Sequence, residues 1–364
     1  MPTRSRDAPV AALEAGGAFP PGDFRFSVHS AYGRAANLAP EGGGRLLALV
    51  AADADCPPNG LRLESRRRFD AWPLRTGLAG RREGYLLSFD AEGSLRLPRI
   101  DLSRARRLAA APLPPIDPRR PGLAAAWAEG AAALEAIQGR KGTELRLAEL
   151  HGRAAPGALS GTAMGARLAR AALELAAALS GDAAGEGGTV SGALSDKGAA
   201  GRRPAAAAAT TALAAAARLV GLGPGLTPAG DDFLCGLLAA LRCVGQRGRA
   251  AAFAEEFRAA LPSLLASTNA ISAASLGCAA EGLFPAALSR LAAALAGAAA
   301  PEPPAGGGPA AVPGSTARGM AAASPAAAVE ALCAAGHSSG ADMATGLLIG
   351  IDLVLRDERR RYAP

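Results

Sequence analysis

From Phe24 to about Arg107 the apolar positions come in short bursts, several with an alternating texture. FRFSVHS (24–30), RLLALVAA (45–52), GLRLES (60–65), GYLLSFD (84–90) and SLRLPRID (94–101) each run for a few residues. Breakers such as Glu41-Gly42-Gly43-Gly44 and Pro57-Pro58-Asn59-Gly60 divide them. Short runs of this kind between turn formers predict strands, and several in succession predict a small β-rich domain of barrel-like character. Beyond residue 122 the texture changes. Leu123 to Gln138, Glu144 to His151, Ala163 to Leu179 and Ala205 to Leu219 favour helix in both apolar spacing and alanine and leucine content. The expected class is therefore α+β: a small β-rich N-terminal domain followed by a mainly helical C-terminal one.

The expected organisation is a flexible N-terminus over residues 1–22, a β-rich domain over 23–111, a linker over 112–122 (PLPPIDPRRPG) and a helical domain over 123–364. Two stretches rich in Gly, Ala and Pro, about 181–203 and 297–325, lack bulky residues and read as mobile inserts. Half of the 364 residues are apolar and 4% are aromatic, so alanine and leucine must fill most of the core. Five cysteines without metal-type spacing read as reduced, mostly buried thiols of a cytoplasmic protein. No secretory signal or membrane span is expected. The net charge is +7, and arginines crowd between Arg62 and Arg107. Interleaved Glu64, Asp70, Glu83, Asp90 and Asp101 favour a solvated face there over a nucleic-acid patch, and few aromatics are on hand to stack on bases.

The densest signal is a pair of related segments, GLGPGLTPAGDDFLCGLLAAL (221–241) and GHSSGADMATGLLIGI (336–351). Gly230 aligns with Gly340, Asp232 with Asp342, Gly236 with Gly346, and Leu237-Leu238 with Leu347-Leu348. Each is a loop of small residues that turns into an apolar helix carrying a carboxylate in its first turn. Such a loop presents backbone N–H groups and a helix N-terminus to a ligand. Two copies predict one site built from two related halves, with Gly236 and Gly346 letting the two helices cross closely.

In the first loop, Gly223, Gly225 and Gly230 permit backbone angles and approaches that a Cβ forbids. Thr227 is placed as an N-cap with Pro228 at the first helical position. Asp231 and Asp232 would repel a bare phosphate. They suit an amide NH₂ donor, or Mg²⁺ beside a phosphate, and both options stay open at this point. The Gly-Lys-Ser/Thr ending of a phosphate-binding P-loop is missing. In the second loop, Ser339 and Asp342 have capping-box spacing. His337 and Ser338 stand just before the helix, where its dipole favours a neutral imidazole able to donate to or accept from a substrate oxygen. Between the loops, Thr268, Ser272 and Ser275 share one face of an expected helix, either lining a polar pocket or easing helix packing. The candidate catalytic residues are thus His337, Asp232 and Asp342. The candidate binding residues are Gly223, Gly225, Thr227, Gly230, Asp231, Thr268, Ser272, Ser338 and Ser339.

These segments, together with Ser267-Thr268-Asn269-Ala270-Ile271-Ser272, resemble the oxamate carbamoyltransferase AllH-like subunit family. The likeness is clearest from about residue 210 to 355. The N-terminal half, with Arg34-Ala35-Ala36-Asn37-Leu38 and Pro58-Asn59-Gly60, fits more loosely. Ala229 departs from the family's frequent serine. The resemblance implies a cytoplasmic subunit of a multi-component enzyme of anaerobic allantoin and purine breakdown. It implies the reaction of oxalurate with phosphate to give oxamate and carbamoyl phosphate, or its reverse, with other protein subunits as partners. A metabolite-binding or scaffold subunit of such a complex, and more remotely a nucleic-acid-binding protein, are the other readings.

Overall fold

A computed structural model describes residues 9–65, 68–90, 97–108, 112–180, 202–245, 248–297, 323–334 and 337–361. The expected mobile inserts, about 181–203 and 297–325, lie almost wholly outside the described residues. The chain divides into two compact units. Among the described residues, one holds those up to 112 together with 283–286, and the other holds the remainder.

The first unit is a closed barrel. Its strands are β1 (Val10–Ala15), β2 (Phe24–Ala31), β3 (Ala35–Pro40), β4 (Leu47–Val50), β5 (Gly60–Leu63), β6 (Ala79–Glu83), β7 (Leu86–Phe89) and β8 (Ile100–Asp101). They follow the order β5-β4-β3-β2-β6-β7-β8-β1, and β1 returns to pair with β5. A further short strand, β9 (Arg106–Arg107), adds in parallel to the end of β1. Alternation fills the interior: Phe26 and Val28 of β2 point inward, while Arg25 and His29 face solvent. Leu38, Leu49, Leu61, Leu63, Leu87 and Ile100 complete a dry core. Closure removes the exposed edges that strands this short would otherwise present.

Residues 10–15 correct the expectation of a flexible N-terminus over 1–22. Val10–Ala15 forms β1, and Phe19 is buried. The strand is alanine-rich and its partner β5 is remote in sequence, so local pattern gave it little signal. Glu14 of β1 is 7% exposed and accepts from Arg62 Nε at 2.7 Å and from Arg106. Burial works against its charge, yet the two guanidiniums prevail and hold its carboxyl below the ordinary glutamate range. Its contribution to stability is present above the unfolded-state value near 4.5 and is lost as pH falls through the lowered folded value. Glu14→Gln is expected to destabilise the barrel by about 1–2 kcal/mol at pH 7. Urea unfolding followed on the barrel should show that loss and a shallower decline in acid than wild type.

The arginine-rich stretch is largely occupied internally. Arg62 pairs with Glu14, Arg68 with Asp70, and Arg81 with both Glu83 and Asp90. Arg82 is buried and donates to the backbone oxygens of Gly84 and Pro20. These contacts answer much of the apparent positive patch; Arg66, Arg67 and Arg96 lie outside the described residues.

The second unit is helical: α1 (Leu123–Lys141), α2 (Leu147–Leu150), α3 (Ala163–Ser180), α4 (Arg202–Leu219), α5 (Ala229–Cys243), α6 (Gly248–Leu265), α7 (Ala270–Ala280), α8 (Ala286–Ala296), α9 (Pro325–Ala334) and α10 (Ser339–Arg361). The expected linker 112–122 is docked on this unit for part of its length. Leu113 and Ile116 are buried, and the Ile116 N–H donates to Cys243 O at 2.8 Å. Every residue of α5 except Arg242 is buried, which marks it as a central helix rather than an amphipathic surface one. All five cysteines are buried, and none forms a disulfide. No helix among the described residues is long and apolar enough to cross a membrane.

Candidate functional site

Two glycines explain how α5 and α10 meet. A Cβ on Gly236 would lie 1.9 Å from Met343 O and 2.9 Å from Leu347 N. A Cβ on Gly346 would lie 2.0 Å from Phe233 O and 2.8 Å from Leu237 N. Each contact is the image of the other under the alignment of the two segments. Further along, Gly350 meets Ala240, its own counterpart. The helices therefore run parallel in register, related by an internal two-fold, and both N-termini lie at the same end.

The relation extends to the helix starts. Pro228 O accepts from Asp231 N and Asp232 N at 3.0 and 3.2 Å, and Ser338 O accepts from Ala341 N and Asp342 N at 2.8 and 3.0 Å. Pro228 and Ser338 are thus the equivalent caps. This corrects two expectations. Thr227 lies one residue outside the N-cap, because Pro228 holds the extended geometry at φ −52° and ψ 137°. Ser339 and Asp342 do not form a capping box, because Ser339 is already helical and neither Asp342 oxygen has a hydrogen-bond partner.

Gly221, Gly223 and Gly225 take φ values of 72°, 133° and 93°. A Cβ on Gly221 would lie 2.3 Å from Ser267 O, and one on Gly223 2.5 Å from Ala229 N, so the loop is folded tightly onto its own helix and onto the segment before α7. Asp231 is the latch for that arrangement. Its Oδ1 accepts from Gly221 N at 2.8 Å and its Oδ2 from Thr268 Oγ1 at 2.5 Å. Asn269 supplies the second tie, donating to Leu226 O at 3.0 Å while its Oδ1 caps α7 through Ile271 N and Ser272 N. Burial raises the Asp231 carboxyl above its ordinary value, opposed by Thr268, Gly221 and Ser272.

Asp232 and Asp342 are different. They are 1% and 0% exposed. Asp232 Oδ2 and both oxygens of Asp342 are buried without a hydrogen-bond partner. Burial pushes the Asp232 carboxyl up to about 8, with the hydroxyls of Ser339 and Thr227 opposing and the Asp231 charge adding to the rise. Burial also raises Asp342 well above the usual carboxylate range, and the charges of Asp232 and Glu144 raise it further. The Ser338 hydroxyl favours the Asp342 carboxylate from nearby without closing a hydrogen bond. A helix N-terminus favours a carboxylate by only about 0.3–1 kcal/mol, too little to offset full burial. At neutral pH the pair therefore holds at least one proton, and its titration belongs to the pair rather than to either residue.

The site is layered. Leu226 and His337 are exposed; Thr227, Ser338 and Ser339 are half-buried; Asp232 and Asp342 lie beneath them. Ser272 is buried on α7 beside Asp231 with no partner for its hydroxyl, whereas Ser275 bonds back to Ile271 O, so the expected hydroxyl stripe divides. Gly230 lies behind the loop, where a Cβ would be 2.0 Å from Leu219 O; its role is packing. Sequence reading did not single out Lys141 or Glu144. Lys141 Nζ donates to Cys333 O at 2.5 Å just before the second loop, and Glu144 reaches Asp342 through its charge. Only tertiary packing brings them there.

Among the described residues no group of three or more histidine, cysteine, aspartate or glutamate side chains is disposed to hold a metal ion.

No curated protein and no solved structure matches the chain. Residues 219–306 match the family model of the oxamate carbamoyltransferase subunit AllH, the same family that the two loop segments resemble. The matched span contains the first glycine loop, Asp231, Asp232 and α7. The second loop, with Asp342, enters the site through the internal two-fold.

Proposed function

We propose that this chain is a subunit of a carbamoyltransferase acting on a small anionic amide such as oxalurate, oxamate or carbamoyl phosphate. The observation that carries the reading is the buried, partly unpartnered carboxyl pair at the joined N-termini of α5 and α10, with Asp232 inside the matched span. A carboxyl pair sharing a proton offers both an acceptor and a donor, the complement of an H₂N–C=O group. Backbone N–H groups of the loop around Gly223 and Gly225, with Thr227, Ser338 and Ser339, suit the anionic end of the substrate. His337, exposed at the start of α10, is the proposed donor to the carbamoyl oxygen as charge develops on it.

In the forward direction a phosphate oxygen attacks the carbamoyl carbon of oxalurate, and the bond from that carbon to the oxamate nitrogen breaks. The proton lost by phosphate is the one the departing nitrogen gains, so the step balances without a cofactor. The cation such an anion needs is assigned to a partner subunit. A metabolite-binding subunit is the second reading, favoured by the near-complete burial of both carboxyls.

His337→Ala in the assembled complex separates the two. A catalytic role predicts turnover reduced by at least about tenfold with substrate binding retained. Unchanged turnover in an intact complex would support the binding-subunit reading.

A further inference from the structure

Farther along α10, away from the two loops, lies a cavity of about 130 Å³ between α3 and α10, with Leu150 of α2 in its wall. Its lining recurs at i, i+3, i+4 and i+7 on both helices, from Leu173 on α3 and from Ile349 on α10, so two facing stripes bound it. The gap exists because α3 brings alanines, Ala176 and Ala177, to the middle of its stripe, where leucines would fill the space. The cavity also has a polar end. Asp352 is 6% exposed; its Oδ2 lies 2.6 Å from Arg356 Nη2, and its Oδ1 lies 3.5 Å from His151 Nε2. Trp127 of α1 stacks on His151 with ring centroids 5.0 Å apart, and its Nε1 donates to Leu348 O at 2.8 Å. An Asp–Arg pair four residues apart on a helix surface needs no such support. Here the carboxylate is drawn inside and buttressed from α1 and from the end of α2. Asp352 stands ten residues beyond Asp342, about 15 Å along the helix, so this cluster is separate from the carboxyl pair.

We propose that this cavity is a second binding site, and that its ligand is a small organic carboxylate whose apolar body is about the size of one six-membered ring. The volume is close to the ~150 Å³ at which an apolar protein cavity takes up benzene. Leu150, Leu173 and Leu353 offer walls to such a body. The polar end decides the head group. Both Asp352 oxygens already face a basic neighbour, so a cationic ligand finds no open acceptor. The Arg356 guanidinium is permanently charged and carries five N–H donors; Asp352 lies at its Nη2, which leaves donors for a second carboxylate. Its planar fork matches a carboxylate in two-point contact. Asp352 and His151 thus hold the guanidinium at the rim, and the stripes take the rest of the ligand.

The test is ligand-dependent melting of the full chain at pH 7 with benzoate, benzamide, acetate or inorganic phosphate, each up to about 10 mM. Benzamide keeps the ring and lacks the charge; acetate and phosphate keep the charge and lack the ring. Benzoate is expected to raise the melting temperature and to bind at least tenfold more tightly than the other three. Arg356→Gln should reduce benzoate to the level of benzamide. Arg356→Lys, which keeps a charge beside Asp352 but not the fork, should weaken benzoate several-fold. Ala177→Leu fills the cavity, so it should melt no lower than wild type and lose the benzoate shift. Asp232→Asn, at the carboxyl pair, should leave that shift unchanged. Equal binding of benzoate and benzamide, an unchanged benzoate shift in Arg356→Gln or in a folded Ala177→Leu, or no shift with benzoate would each overturn the proposal. A benzoate shift lost in Asp232→Asn would move the ligand to the paired loops and overturn it as well. If Ala177→Leu melts below wild type, the two Arg356 variants decide.

Discussion

Gly346→Ala is expected to destabilise the helical unit by more than about 4 kcal/mol and to leave little folded protein. The added methyl would sit 2.0 Å from Phe233 O and 2.8 Å from Leu237 N, both backbone atoms of a helix that is buried on all sides. Neither can move aside as a side-chain tip would. Alanine's better helix propensity returns only about 1 kcal/mol. Gly236→Ala should behave alike, since its Cβ meets Met343 O at 1.9 Å. Gly139→Ala is the control: Gly139 lies within α1, and a methyl added there would meet nothing within 4 Å, so this change should stabilise by about 0.5–1 kcal/mol. Urea midpoints of the three variants, followed by far-UV circular dichroism, give the comparison. A tolerated Gly346→Ala would contradict the close parallel pairing of α5 and α10 on which the whole site depends.

The second large effect is a stability that falls as pH rises. Folded Asp232 keeps its proton up to about pH 8, whereas in the unfolded chain it is lost near 3.8. Between these values the native state binds more protons than the unfolded one, so each rise in pH favours unfolding. Asp342 is raised too and adds in the same direction. Glu14 acts oppositely and at lower pH, because its folded value is depressed. Stability should therefore peak in mildly acidic solution and decline toward pH 8. Asp342→Asn removes one buried charge and relieves its neighbour. It is expected to match wild type within about 1 kcal/mol at pH 5 and to exceed it by about 2 kcal/mol or more at pH 8. Thermal melts of both proteins across pH 5–8 read this directly. An Asp342→Asn protein that is less stable than wild type at pH 8 would show that the carboxylate is favourably partnered, contrary to its unpartnered oxygens.

A site that destabilises its own fold is the expected signature of function, and it bears on what the sequence could show. The paired loops were legible because the glycines, prolines and aspartates recur in the same spacing, and spacing on two helices carries over directly into contacts between them. The helical C-terminal region was legible for the same local reason. The caps were misplaced by one residue because threonine is a better capping type than proline at 227/228 and because Ser339, not Ser338, has capping-box spacing to Asp342, yet backbone geometry selected Pro228 and Ser338. Strands β3 and β6 went unmarked, since AANLAP and AGRRE have little of the usual β texture and owe their state to barrel closure. The burial of Asp232 and Asp342, the latch role of Asp231 and the proximity of Glu144 depend on tertiary packing, which no local pattern records.

Binding of a carbamoyl ligand by the carboxyl pair beneath the two loops can be measured by titration calorimetry of oxalurate into the full chain and into its Asp232→Asn variant at pH 7. Binding to wild type is expected to weaken at least tenfold, about 1.4 kcal/mol, in a variant that melts no lower than wild type. Equal affinity for the two proteins would place the ligand elsewhere and contradict it.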